Sequence, residues 1–143
     1  MRPNFSLSRL ALLTAALVCV SPLVSAATEP LASAAAPAGQ LAFAIAPAAG
    51  KTLQEVHDAV VSAAAGRGWT IKDNAPDRVV LYHLRHGYEA TVTLLVTPAR
   101  ITAYCEGYAV TRKGVRKHPQ QPKNWLNYLR DDISRMVSGV PVN

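Results

Sequence analysis

Between Tyr88 and Val96 apolar and polar residues alternate: Tyr88, Ala90, Val92, Leu94 and Val96 fall on one side of an extended chain, and Glu89, Thr91 and Thr93 on the other, with Leu95 the exception. A period of two with one apolar face predicts a strand that buries one side and wets the other. The same reading makes strands of Trp69–Lys72, Val79–Arg85 and Ile101–Ala109. Asp73-Asn74-Ala75-Pro76-Asp77 predicts a reversal between the first two, because Asx side chains and Pro favour turns, and Pro98-Ala99-Arg100 predicts another. The four strands then form an antiparallel meander. Upstream, Leu41, Phe43 and Ile45 alternate with small residues over Gln40–Ala46, which suits one more short strand ending at Pro47.

Two segments change period. Leu53, Val56, Ala59, Val60, Ala63 and Ala64 recur at three- and four-residue steps, while Gln54, His57, Asp58 and Ser62 fall mostly on the opposite side. Thr52 and Glu55 have capping-box spacing at the start of this helix, and Gly66 and Gly68 stop it. The second helix opens near Pro122 and carries an apolar stripe of Trp125, Leu126, Leu129, Ile133, Met136 and Val137. Arg130, Asp131 and Arg135 are left for solvent, and Gly139 and Pro141 end the helix. Between meander and helix, Val110–Lys123 is polar and basic, with Gly114 and two prolines, and reads as a loop or a poorly ordered extension of the last hairpin. The fold class predicted is α+β: an antiparallel meander of about four strands, plus a possible N-terminal strand, with two helices packed on one face.

The first 26 residues belong to a different class. Arg2 and Arg9 flank a polar start, and Leu10–Val20 is an apolar run too short for ~30 Å of hydrocarbon at 1.5 Å per residue. With Pro22 and the small-residue site Val24-Ser25-Ala26 behind it, the segment reads as a signal peptide cleaved after Ala26, which predicts a periplasmic or secreted protein with no transmembrane span after cleavage. Lipid anchoring at Cys19 is the competing reading, weakened by Val18 where the processing site takes Gly, Ala or Ser. Residues 27–39, ATEPLASAAAPAG, read as an Ala/Pro-rich linker, leaving 40–139 as a single domain.

Composition agrees with that partition. The 143 residues are 50 % hydrophobic and 17 % charged, enough apolar content for one folded domain and too little length for a multidomain enzyme. Half of the 24 residues from Ala26 to Ala49 are Ala, so the core must come from the later chain. The formal charge is +6; without Arg2 and Arg9, thirteen Lys and Arg face nine Asp and Glu, for +4. After cleavage one cysteine remains, Cys105, in step with Ile101 and Ala103, where a small buried hydrophobe is expected rather than a catalytic thiol.

Candidate chemistry is sparse. His83 and His86 are separated by an odd step on strand and turn, His57 has no His, Asp or Glu four residues away, and His118 lies in the Pro-rich loop, so no metal or cofactor is expected. Asp131 and Asp132 diverge on a helix, and Glu89 and Glu106 sit among Thr residues in positions that read as solvated. The chain carries neither a G-x-S-x-G elbow, nor a Walker loop, nor a G-x-G-x-x-G fingerprint. Trp69 and Trp125 read as core, while Tyr82, Tyr104 and Tyr108 would share a sheet face if the register aligned them. The one charge cluster is Arg112, Lys113, Arg116 and Lys117, with Lys123 beyond it, a candidate contact for an anionic surface.

From Leu53 to Val137 the chain resembles a family of small, exported, functionally uncharacterised bacterial proteins often described as lipoproteins. The resemblance rests on the first helix, Gly68-Trp69, the hairpin and two further strands, the loop with His118, and the helix opening Asn124-Trp125-Leu126-Asn127-Tyr128-Leu129. It implies an α+β domain with two helices against an antiparallel sheet, and no activity. The function expected is therefore a non-enzymatic binding or envelope-associated domain, its partner an anionic envelope component or another envelope protein and not nucleic acid. The alternative is a small envelope enzyme with an unrecognised active site. A deep pocket of clustered polar groups would favour the enzyme; a flat polar sheet face beside the basic segment would favour binding.

Overall fold

In chain order a strand at residues 40–45 and a helix at residues 53–66 precede most of the sheet that the helix covers. A computed structural model describes residues 37–139, so the signal segment, Cys19 and residues 27–36 of the linker lie outside the described residues. The elements are β1 (Gln40–Ile45), α1 (Leu53–Gly66), β2 (Thr70–Ala75), β3 (Arg78–Arg85), β4 (Tyr88–Val96), β5 (Ile101–Val110), β6 (Arg116–Pro119) and α2 (Lys123–Val137). All strand pairs are antiparallel, in the order β1-β5-β4-β3-β2, and β6 adds to β5. The expected α+β meander with two helices is the architecture found. No described helix is long and apolar enough to cross a membrane.

The long strand β5 organises the sheet. One edge pairs with β4 from Ile101 to Ala109; the other pairs with β1 over Ile101–Cys105 and with β6 at Tyr108 and Val110. The gap between β1 and β6 is where residues 120–122 cross close to the strand. Gln120 N–H donates to the Gly107 carbonyl at 2.8 Å, and a Cβ on Gly107 would lie 2.5 Å from the Gln120 carbonyl oxygen. Only glycine permits that approach.

Helix α1 starts as its capping box requires: the Glu55 N–H donates to Thr52 Oγ1 at 3.2 Å, and the Thr52 N–H donates to Glu55 Oε2 at 2.8 Å. Those bonds hold the Glu55 carboxyl below its usual pKa. Val56, Val60, Ala63 and Ala64 of α1 and Leu126, Leu129, Ile133 and Val137 of α2 meet the inward residues of β3, β4 and β5, including Leu81, Val92, Leu94, Ile101 and Ala103. Both stripes were legible as 3.6-residue periods, and the helices pack against each other as well as the sheet.

Five expectations need correction. The segment 110–123 is not simply a loop, because Arg116–Pro119 pairs with β5 as β6. Strand β2 runs on through Asp73 and Asn74 to Ala75, with a register irregularity between Ile71 and Asp73. The reversal is confined to Pro76-Asp77, since Asp73 pairs with Arg78 at 2.6 Å instead of closing a turn. His57 is buried, its ring 2.8 Å from Asn74 Oδ1 and 3.3 Å from Asp58 Oδ1, because the bulged β2 brings Asn74 over the helix. Finally, Met136 remains 46 % exposed at the rim of the α1–α2 seam, and Trp125 is half-buried against the core rather than inside it.

Candidate functional site

The side of the sheet away from the helices carries a band of Thr and Tyr hydroxyls and two carboxylates, interrupted by Leu41, Val80, Leu84 and Leu95. Cross-strand partners point to the same side, and the register sets Tyr82 opposite Thr91, Tyr104 opposite Thr93, Glu106 opposite Thr91 and Tyr108 opposite Glu89. The three tyrosines therefore do share one face. Cations cover two of the rings: Lys72 Nζ lies 5.1 Å from the Tyr82 centroid, and the Arg116 guanidinium 4.4 Å from that of Tyr108. The Tyr108 hydroxyl donates to Glu106 at 3.2 Å. Tyr82, Thr91, Thr93, Thr102, Tyr104 and Glu106 are each half-buried, so each presents part of its side chain to solvent.

The four basic residues singled out in the sequence are separated by the fold. Arg112 and Lys113 occupy the tip of the β5–β6 hairpin, exposed. Arg116 turns onto the polar face and holds Glu89, whose side chain is only 15 % exposed, through two hydrogen bonds of 2.7 and 2.9 Å. The pairing draws Glu89 below the usual carboxylate range and raises Arg116 above its own. Glu89 is thus not the solvated carboxylate that its Thr neighbours suggested. Lys117, one position on, is exposed on β6 beside a register irregularity. Among the described residues Arg112, Lys113 and Lys117 have no ion-pair partner, so they supply the free charge of the hairpin.

A second feature, which sequence reasoning missed, lies on the helix side at the β3–β4 end of the sheet. Trp69, His83 and Trp125 come together from the entry to β2, from β3 and from the first turn of α2. The His83 ring centroid is 5.1 Å from that of Trp69 and 4.8 Å from that of Trp125, and Tyr88 meets Trp125 edge-on at 6.1 Å. His83 Nδ1 lies 3.1 Å from the Gly68 carbonyl, to which it donates. A cleft of about 270 Å³ opens beside this cluster, lined also by Arg67, Arg85, His86 and Tyr128. Trp125 further borders a larger cavity of about 510 Å³ running along the start of α2 to Gln40 and Gln120. His83 and His86 line the same cleft despite their odd spacing, because the turn rather than strand alternation directs His86. The only sequence signal was two tryptophans, each next to an element boundary.

Two nucleophile or base candidates are accounted for by packing. Cys105 is 1 % exposed and its thiol is pushed up to about 11, first by burial and then by the neighbouring Glu106. His57 is engaged on both ring nitrogens by Asn74 and Asp58. Asp131 takes Arg130, while Asp132 takes Arg67 and Arg135 and is drawn below its usual value, chiefly by Arg67. Comparison with protein-family models, curated proteins and solved structures finds no match to this chain.

Proposed function

We propose that this protein is an exported, non-enzymatic binding domain that engages an anionic component of the cell envelope through its polar sheet face and the β5–β6 hairpin. Export rests on the signal-like segment ending at Ala26, and the family resemblance points to the same compartment. The observation that carries the reading is the continuity of the two surfaces. Thr91, Thr93, Tyr104 and Tyr82 set hydroxyls side by side on one side of the sheet, and the hairpin that presents Arg112 and Lys113 is pinned to it through Arg116, Tyr108 and Glu89. A row of hydroxyls of this kind offers many weak hydrogen bonds to a polymer, and the hairpin adds long-range attraction. Buried Cys105 and doubly engaged His57 argue against catalysis by those groups.

The experiment is co-sedimentation of the mature protein with anionic vesicles and, separately, with peptidoglycan across a salt series. Its control is a variant with Arg112, Lys113 and Lys117 changed to Gln. Arg116 is left intact because it holds Glu89. With a Debye length of ~10 Å at 0.1 M salt, binding should fall as ionic strength rises and be weaker in the variant. Equal binding by the two proteins, or none at low salt, would return the hairpin to a solubilising role.

A further inference from the structure

We infer that the cleft beside Trp69, His83 and Trp125 is a binding site for a small planar organic carboxylate, separate from the sheet face on the opposite side of the sheet. Its walls differ in kind. The rings of Trp125 and Tyr128 stand at its side, Tyr128 54 % exposed, so aromatic surface is left facing solvent where a ligand could cover it. Cations stand beside the rings. Arg67 lies over Tyr128 at 5.1 Å and is occupied by Asp132, whereas Arg85 has no ion-pair partner among the described residues. Asp132 is shared between Arg67 and Arg135, so the local balance is positive.

Polar groups in the cleft are held in place from outside it. The Gly68 carbonyl accepts from His83 Nδ1, fixing the ring against both indoles and leaving Nε2 as the free nitrogen. The β3–β4 turn adds one more polar group to the cleft. His86 and Gly87 have φ of 51° and 81°, as a type I′ turn demands, yet the first position is His rather than the Asn, Asp or Gly that such turns favour. The turn itself accounts for that backbone, and it sets the His86 side chain at the rim of the cleft beside Arg85.

The chemistry selects the ligand. A planar guanidinium fork matches a carboxylate in two parallel hydrogen bonds, and a flat ring suits the space beside Trp125 and Tyr128. At about 270 Å³ the cleft sits just below the ~300–1,000 Å³ of sites for drug-sized molecules, which matches a single-ring acid.

The test exploits an accident of composition: the chain has two tryptophans, Trp69 and Trp125, and both belong to this cluster. Indole N–H resonances of the whole protein are followed by NMR during titration with benzoate, benzamide and acetate. Benzoate should shift both resonances saturably, with benzamide and acetate each at least about tenfold weaker. Arg85→Gln, at an exposed position without an ion-pair partner, should weaken benzoate by about tenfold at an unchanged unfolding midpoint, and Tyr128→Ala should weaken it too. The variant lacking Arg112, Lys113 and Lys117 should bind benzoate as the parent does, which separates this site from the envelope-binding reading. No saturable shift up to about 10 mM benzoate, equal affinity for benzamide, or an Arg85→Gln variant that binds like the parent would each overturn the assignment.

Discussion

The guanidinium of Arg116 closes on both carboxylate oxygens of Glu89, 27 positions earlier in the chain, and lies over the ring of Tyr108 on the strand between them. Three strands, β4, β5 and β6, are tied together by this stack. The short strand β6 has only two paired positions with β5 and four exposed residues, so little else holds it.

Glu89→Gln should therefore loosen the hairpin selectively. Amide exchange from Val115 to His118 should accelerate, while Val92 and Leu94 on β4, whose side chains are buried, keep their protection. The folded Glu89 pKa is depressed, so its contribution is complete above the ordinary value of 4.5 and is lost as pH falls through the folded value. The parent protein should show the same local acceleration on acidification below that value. Uniform exchange across β4 and β6 at low pH would sink the idea.

Gly107→Ala should destabilise the domain, because the added methyl would meet the Gln120 carbonyl and the Pro122 ring. Overpacking of this kind costs about 1–3 kcal/mol. At roughly 4–8 °C per kcal/mol for a domain near 100 residues, the melting temperature should drop by several degrees. An unchanged melting temperature would mean that residues 120–122 give way freely.

Large-to-small changes in α2 should rank by burial. Leu129 is fully buried, and Leu129→Ala should cost about 2–5 kcal/mol. Trp125→Ala should cost less than that of a fully enclosed tryptophan, since the ring is half-buried, though it loses edge contacts with Trp69, His83 and Tyr88. His118→Ala, on the exposed strand β6, should lie within about 0.5 kcal/mol of the parent. Denaturation midpoints in any other order would contradict the packing described.

What the sequence revealed depended on whether burial was one-sided. The alternation of β4 and the stripes of α1 and α2 were legible because each element hides one face, and hydrophobic period then reports geometry directly. Strand β6 was invisible for the converse reason: Arg116, Lys117, His118 and Pro119 are all exposed, so no alternation exists. Asp73 and Asn74 looked like turn residues, and their side chains were instead spent on Arg78 and His57 after a bulge that no local signal announces. The Trp69–His83–Trp125 cluster needs the β2–β3 register and the seating of α2 at once. No window of sequence contains it.

Cys105 offers a probe of the core that reports twice. Its thiol is 1 % exposed among Val92, Ala103 and the other inward residues of the sheet, and burial pushes it up to about 11 from an ordinary 9.0. In a Cys19→Ser background, which leaves this single thiol, an aromatic disulfide reagent at pH 8 should therefore label the folded protein only through opening of the sheet, and the rate should climb with denaturant in parallel with unfolding. The same shift fixes the sign of the alkaline limb. Between pH 9 and about 11 the unfolded chain releases the thiol proton while the folded chain keeps it, so the unfolded state binds fewer protons and stability falls as pH rises. Cys105→Ala removes that proton from both states and should flatten this part of the stability profile, whatever it costs at neutral pH. Rapid labelling of the folded protein, or an alkaline slope that Cys105→Ala leaves unchanged, would place the thiol at the surface and not in the core.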